Sequence, residues 1–182
     1  LLKKLFAIDA PAITKSGKSN KALDVIVHSR RIKQFFEHLG MPPVGAREKK
    51  IPKAIRMSRP EVVKAFLQGM MRNDGHVSAN ALEFTVASEP LAVHTQLILL
   101  NFGIISSLHP KKVTAYPDRT YWRLAVYGEE FEKYASCIGF LTREEEKKAR
   151  RIVAKERNPN RNVIPHLGNA LKHLASHYRT LF

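Results

Sequence analysis

The chain has 182 residues, enough to bury a real core and to form one or two domains. Its 31 basic and 16 acidic residues leave a net charge of +15, far more than solubility asks for, so a polyanionic partner is the natural reading; composition alone does not separate a nuclease, a regulator or an RNA binder from a merely basic thermophilic or ribosome-associated surface. Cys137 is the single cysteine, which excludes a disulfide within the chain and leaves a cysteine-based metal site unsupported. The longest apolar stretch, 91–105, is interrupted by His94, Thr95, Gln96 and Asn101, and no signal-like segment opens the chain. The expectation is an intracellular protein, of cytoplasm or nucleoid, with no membrane partner.

The sequence opens Leu-Leu-Lys-Lys without an initiator methionine and so reads as a fragment or a chain trimmed at its start. It also repeats itself. Phe6-Ala7-Ile8 reads like Phe102-Gly103-Ile104, and Asp24 to Met41 aligns without gaps on Arg123 to Phe140, with apolar positions coinciding. Asp74 stands well upstream of Phe102, so the matching acid of the first copy would fall before Leu1. One complete repeat and the back half of another are expected.

Ser58 with Glu61 has the form of an S-x-x-E capping box, Pro60 occupies a first-turn position where no donor is lost, and apolar residues follow at helical spacing. The predicted helix runs to Asn73-Asp74-Gly75, where glycine permits the chain to turn, leaving an acid at a helix end. Ala65 and Gly69, four apart on one face, would let a second backbone come close. Two such helices side by side would bring two carboxylates together.

Residues 76–80 and 82–88 alternate as a hairpin, with Val77, Ala79, Leu82, Phe84 and Val86 expected inward and His76, Ser78, Asn80, Glu83 and Thr85 outward. A helix follows over 90–102, closed by Gly103. A second hairpin spans about 104–127, with Tyr116-Pro-Asp-Arg119 as its turn. If Trp122, Leu124 and Val126 face inward, then Tyr121, Arg123 and Tyr127 share an outer face with Ser107, His109 and Lys111. That mixture of side chains can meet phosphates and base edges. Residues 129–157 read as mostly helical and highly charged, a solvated face. Asn158-Pro-Asn-Arg161 breaks the helix, and an amphipathic helix covers 162–178. Its His166, His173 and His177 lack the glutamate or third ligand type of a metal site and are read as surface or DNA-facing.

Leu67-Gln-Gly-Met-Met-Arg-Asn-Asp-Gly75 resembles the motif of the LAGLIDADG homing endonucleases, in the dodecapeptide (DOD-type) form found in inteins. Upstream, Ile51-Pro52 and Ile55 are similar to the family's lead-in; downstream, Ser88, Leu91 and Leu99 to Ile104 are similar to its following helix and strand. Asp74 holds the position of the metal-binding acid, whereas Arg72 departs from the acid often found two places earlier. The resemblance implies an α+β fold of αββαββα repeats whose antiparallel sheets form a DNA-binding saddle on the major groove. It divides the chain into the back half of a first repeat with a linker (1–57), a complete second repeat with the motif helix (58–157) and a C-terminal helical extension (158–182).

The same resemblance implies roles. Asp74 and Gly75 would hold Mg2+ or another divalent cation, which activates water and neutralises charge on the scissile phosphate. Lys147, after Ile138-Gly-Phe140, would assist catalysis; Arg47, at the comparable place of the first copy, cannot readily lose a proton as lysine can. DNA would be met by His76, Ser78, Asn80, Glu83, Thr85, Ser107, His109, Lys111, Arg119, Tyr121 and Arg123. Ala65 and Gly69 would meet a second motif helix, from a missing N-terminal segment or from a second chain in a homodimer. The expected function is magnesium-dependent double-strand cleavage of a long, specific DNA site. The alternative is a nuclease-inactive nucleic-acid binder of the same fold, like the maturases or transcription regulators. Position 1 carries no Cys or Ser nucleophile and the chain ends in no His-Asn pair, so splicing is not expected of these residues.

Overall fold

A fifteen-residue helix, α4 (Pro60–Asp74), passes directly into a four-stranded sheet, and the rest of the chain is placed around that junction. The computed structural model describes residues 2–7, 13–15, 23–154, 171–172 and 174–177. The C-terminal helix expected over 162–178 therefore lies largely outside the described residues, as do His166 and His173.

From α4 the chain runs through β3 (Gly75–Val77), β4 (Ala81–Val86), α5 (Glu89–Asn101), β5 (Ser107–Val113), β6 (Tyr116–Tyr127), α6 (Gly128–Cys137) and α7 (Arg143–Val153). The sheet is antiparallel in the order β3-β4-β6-β5. This is the αββαββα unit read from the sequence. Period-two alternation carries Leu82, Phe84, Leu124 and Val126 to one face of the sheet, where each is at most 2% exposed. Against them pack Val63, Leu67 and Met71 of α4, at helical spacing, with Ile98 and Leu99 of α5, Phe131 and Tyr134 of α6, and Ala149 and Ile152 of α7. Ile51 from the lead-in joins the same core.

Three local expectations are corrected. Ser58 is not the N-cap of α4: Arg59 holds that position with no side-chain cap, and the Ser58 hydroxyl instead donates to the Ala54 carbonyl at 2.6 Å, closing the short helix α3 (Lys53–Arg56). Pro60 at the first turn lowers the number of donors a cap would have to satisfy. Ala79 is exposed in the β3–β4 turn rather than inward. The β5–β6 turn is at Thr114-Ala115, and the register jumps from Lys112↔Thr120 to Val113↔Tyr116, so Pro117, Asp118 and Arg119 form a bulge instead of the turn. A proline, having no N–H to give a ladder, is accommodated at a bulge.

The preceding residues form α1 (Leu2–Phe6), the antiparallel pair β1 (Ile13–Lys15) and β2 (Leu23–Val25), and α2 (Arg30–His38). Ser29 caps α2 by accepting from the Ile32 N–H. The lead-in is tied to the later unit by the buried Ser88 hydroxyl, which donates to the Lys49 carbonyl, and by Arg47, which donates to the Thr120 carbonyl at 3.5 Å. Among the described residues no helix is long and apolar enough to cross a membrane.

Candidate nucleic-acid interface and cleavage site

The carboxylate of Asp74 is exposed at the last residue of α4, and the strand begins at the next residue with no loop between. Gly75 makes that possible. Its backbone is extended (φ −92°), so left-handed freedom is not the reason for glycine; a Cβ there would lie 2.4 Å from the Met71 carbonyl oxygen. The helix end and the strand start are too close for any side chain.

The face of α4 opposite the buried Val63, Leu67 and Met71 is bare. Ala65 is exposed, Val62 is 45% exposed, and nothing lies within 4 Å of where a Cβ on Gly69 would be. Asn73 donates to the Gly69 carbonyl at 2.8 Å, so this stripe continues to the turn that bears Asp74.

On its other flank α4 is fixed by two long-range contacts. Gln68 donates to the Ile138 carbonyl at 2.6 Å, at the left-handed Gly139 (φ +77°) that closes α6. Arg72 pairs with Glu145 at 3.6 Å, and Glu145 is itself held by Thr142, which donates to its carboxylate at 2.8 Å and caps α7 by accepting from its N–H. Beside these residues is a small cleft lined by Gln68, Arg72, His76, Tyr134, Phe140 and Glu145. The Tyr134 hydroxyl is buried there without a hydrogen-bond partner. Burial first, and then the nearby Glu145 charge, push its pKa well above the usual tyrosine range. Lys147 is exposed, two residues from both Glu145 and Ala149 and hence on the solvent side of α7. Glu145 of α7 is the residue ion-paired with the motif helix, through Arg72.

The sheet register brings most of the outward residues into rows. Glu83 lies between His76 and Ala125, and Ala125 in turn faces Ser107; Arg123 lies between Thr85 and His109; Tyr121 faces Lys111. Asp74 leads into this surface through His76, two residues on. Other expected contacts sit apart from it. Ser78 is spent on the hairpin turn, donating to the Ala81 carbonyl and accepting from the Ala81 N–H, and Asn80 is in that turn. Arg119 is in the bulge, 4.8 Å from the Tyr116 ring. Glu83 is ion-paired with Arg123, so two side chains expected to meet DNA separately meet each other.

The model of the LAGLIDADG-like domain matches residues 61–139, the span from the motif helix through α6. The fold matches that of mesophilic variants of the homing endonuclease I-DmoI, with a TM-score of 0.58 at 15% identity over 75% of this chain and 63% of that one. It matches equally a variant of I-DmoI in complex with its target DNA in the presence of magnesium, with a TM-score of 0.57 at 15% identity over 75% of this chain and 67% of that one. Residues 61–139 thus match a LAGLIDADG-like domain, and the chain has the fold of a LAGLIDADG homing endonuclease.

Relatives of this chain include an A-type ATP synthase subunit of Pyrococcus abyssi, 34% identical over 71% of this chain and 12% of that protein. The replication factor C small subunit of Thermococcus kodakarensis is 33% identical over 78% of this chain and 16% of its own length. That of Methanocaldococcus jannaschii is 28% identical over 90% of this chain and 9% of its own length. The chain thus spans less than a fifth of each of these relatives.

Within the LAGLIDADG motif, Leu67 and Met71 are core, Gln68 and Arg72 anchor the flank, Gly69 is open and Asp74 is presented. The anchoring partners were not singled out from sequence. Thr142-Arg-Glu-Glu145 does carry a capping-box signal for Glu145. The Gln68–Ile138 contact joins residues far apart in the chain, and no local pattern marks it.

Proposed function

We propose that this chain is the DNA-cleaving module of a homing endonuclease that makes metal-dependent double-strand breaks at a long, specific site. The observation that carries the reading is the exposed Asp74 at the end of a helix whose small-residue stripe is bare, two residues from the first member of a polar and basic sheet face. A carboxylate so placed reaches a phosphate of DNA lying on that face.

Among the described residues no group of three or more His, Cys, Asp or Glu side chains converges on a metal position. Magnesium is commonly held by one or two carboxylates together with substrate phosphates and water. Asp74, with the Gly75 carbonyl, would hold the ion, which when bound supplies activated water and neutralises charge at the cleaved phosphate. The chain's own residues do the rest: Gly75 sets where Asp74 stands, Gln68 and Arg72 fix the helix end, and the sheet aligns the duplex. Lys147 would stabilise the transition state where the cleaved phosphate reaches the solvent side of α7.

The bare Ala65/Gly69 stripe would take a second motif helix, from a segment upstream of Leu1 or from a second chain. The first 57 residues support the reading of a partial first repeat. α2 follows β2 as α6 follows β6, and Gly40 (φ +88°) and Gly139 (φ +77°) are left-handed at aligned positions, as are Ala7 (φ +55°) and Gly103 (φ +70°). Leu5, Phe35, Phe36 and Met41 are between 39% and 60% exposed, as expected of a half-unit without its own motif helix. The segment shared with proteins of such different names, a small part of each, supports an intein-type insert over a domain of any one host.

The test is cleavage with magnesium of a plasmid carrying the uninterrupted host-gene site. Asp74→Asn should bind that site and lose cutting, and Lys147→Met reports the lysine's share. Cutting by Asp74→Asn at the wild-type rate removes Asp74 from the mechanism. Specific binding by the wild type without any cutting returns the chain to the nuclease-inactive reading.

A further inference from the structure

We infer that Arg123 reads a single guanine in the major groove and that Glu83 is its positioning residue. The inference rests on the DNA-binding reading above and assigns one contact within it.

The two residues are diagonal neighbours across β4 and β6: Glu83 is directly opposite Ala125, and Arg123 is opposite Thr85. The Arg123 Nη2 donates to Glu83 Oε1, so the guanidinium leans along the strand across Ala125. Ala125 has the outward register position yet is only 2% exposed, and its small side chain leaves the room this crossing needs. Of the five N–H donors of a guanidinium, one is thereby engaged and the one on Nε is buried without a partner, which leaves three, on Nη1 and Nη2, for a ligand. The side chain remains 38% exposed.

That end of the fork matches the O6 and N7 acceptors of guanine, the commonest specific arginine contact. The carboxylate decides against a phosphate. Glu83 offsets the arginine's charge and would repel a phosphate brought to the same donors, whereas guanine offers neutral acceptors that need only a planar donor pair held in place. Held by Glu83, the long side chain also loses less rotamer freedom when the base arrives. A carboxylate on a surface meant for DNA, costly as a direct contact, is accounted for in this way.

The experiment is selection from a library of randomised duplexes by the wild-type chain, Arg123→Gln, Arg123→Lys and Glu83→Gln, with affinities measured for the selected site and its single-base changes. The wild type should select a site with one position fixed as guanine, and replacing that base should weaken binding by roughly 5- to 150-fold. Arg123→Gln and Arg123→Lys should lose that preference while keeping the others. Glu83→Gln should relax the same position only. A uniform loss of affinity in the Arg123 variants with every base preference intact marks a phosphate contact and overturns the inference while leaving the DNA reading standing. So does a Glu83→Gln profile identical to wild type. A wild-type pool with no consensus overturns both.

Discussion

The Met71 carbonyl oxygen and residue 75 are so close that a Cβ on Gly75 would stand 2.4 Å from it. This one approach lets a helix become a strand without a loop, and it fixes the distance from Asp74 to the first outward residue of the sheet, His76. Gly75→Ala should therefore move the helix end, costing about 1–3 kcal/mol on denaturant unfolding, as overpacking does. It should also lower cleavage more than DNA binding, because Asp74 shifts while the sheet does not. Unchanged stability would show that the junction relaxes freely.

Ser88 joins two parts of the molecule. It caps α5 by accepting from the Leu91 N–H at 3.2 Å, and it donates to the Lys49 carbonyl while fully buried. Ser88→Ala removes both bonds and leaves the Leu91 N–H and the Lys49 carbonyl without these partners. A loss of about 1–3 kcal/mol is expected in chemical denaturation; a change of only a few tenths would mean that the lead-in contributes nothing to the later unit.

His94 should give stability a pH dependence. Burial first, then the charges of Arg56 and Lys50, lower its pKa below the ordinary 6.5. The unfolded chain then binds more protons than the folded one between the two values, so stability rises with pH there and falls as pH drops below 6.5. His94→Gln should flatten the fall in unfolding midpoint between about pH 7 and about pH 5 relative to wild type. Parallel curves for the two proteins would remove His94 from the effect.

The two half-turns at Ala7 and Gly103 allow a reciprocal test of the internal repeat. Both are left-handed, φ +55° and φ +70°, but only one is glycine. A side chain in that region costs roughly 1 kcal/mol, so Gly103→Ala should destabilise by about that much and Ala7→Gly should stabilise by somewhat less, since glycine also has more freedom to lose on folding. Melting temperatures of the two variants check it. A neutral Gly103→Ala would argue that the two turns are not equivalent.

The order of elements was legible because strand and helix periods differ and the core is strongly patterned: Leu82, Phe84, Leu124 and Val126 alternate, while Val63, Leu67 and Met71 recur at helical spacing. Local signals that served equally well for two neighbouring positions were less decisive. Ser58 had the form of a cap but closes the helix before, and Pro117-Asp118 had the form of a turn but lies in a bulge three residues along the strand. Both errors are of one kind: the residue type marks an irregularity, and the pairing around it decides which.

By itself the sequence determined which acid stands at the helix end, which stripe of that helix is small enough for a close neighbour, and that Glu83 and Thr85 of β4 and Tyr121 and Arg123 of β6 are turned away from the core, because each follows from spacing along one element. Only the tertiary structure decided that Glu83 and Arg123 hold one another, that Gln68 and Arg72 are anchored to the α6–α7 corner, and that Lys147 is turned to solvent while Glu145 meets the motif helix. Those relationships join separate elements, and their geometry is set by register, packing and helix rotation, which no single segment contains.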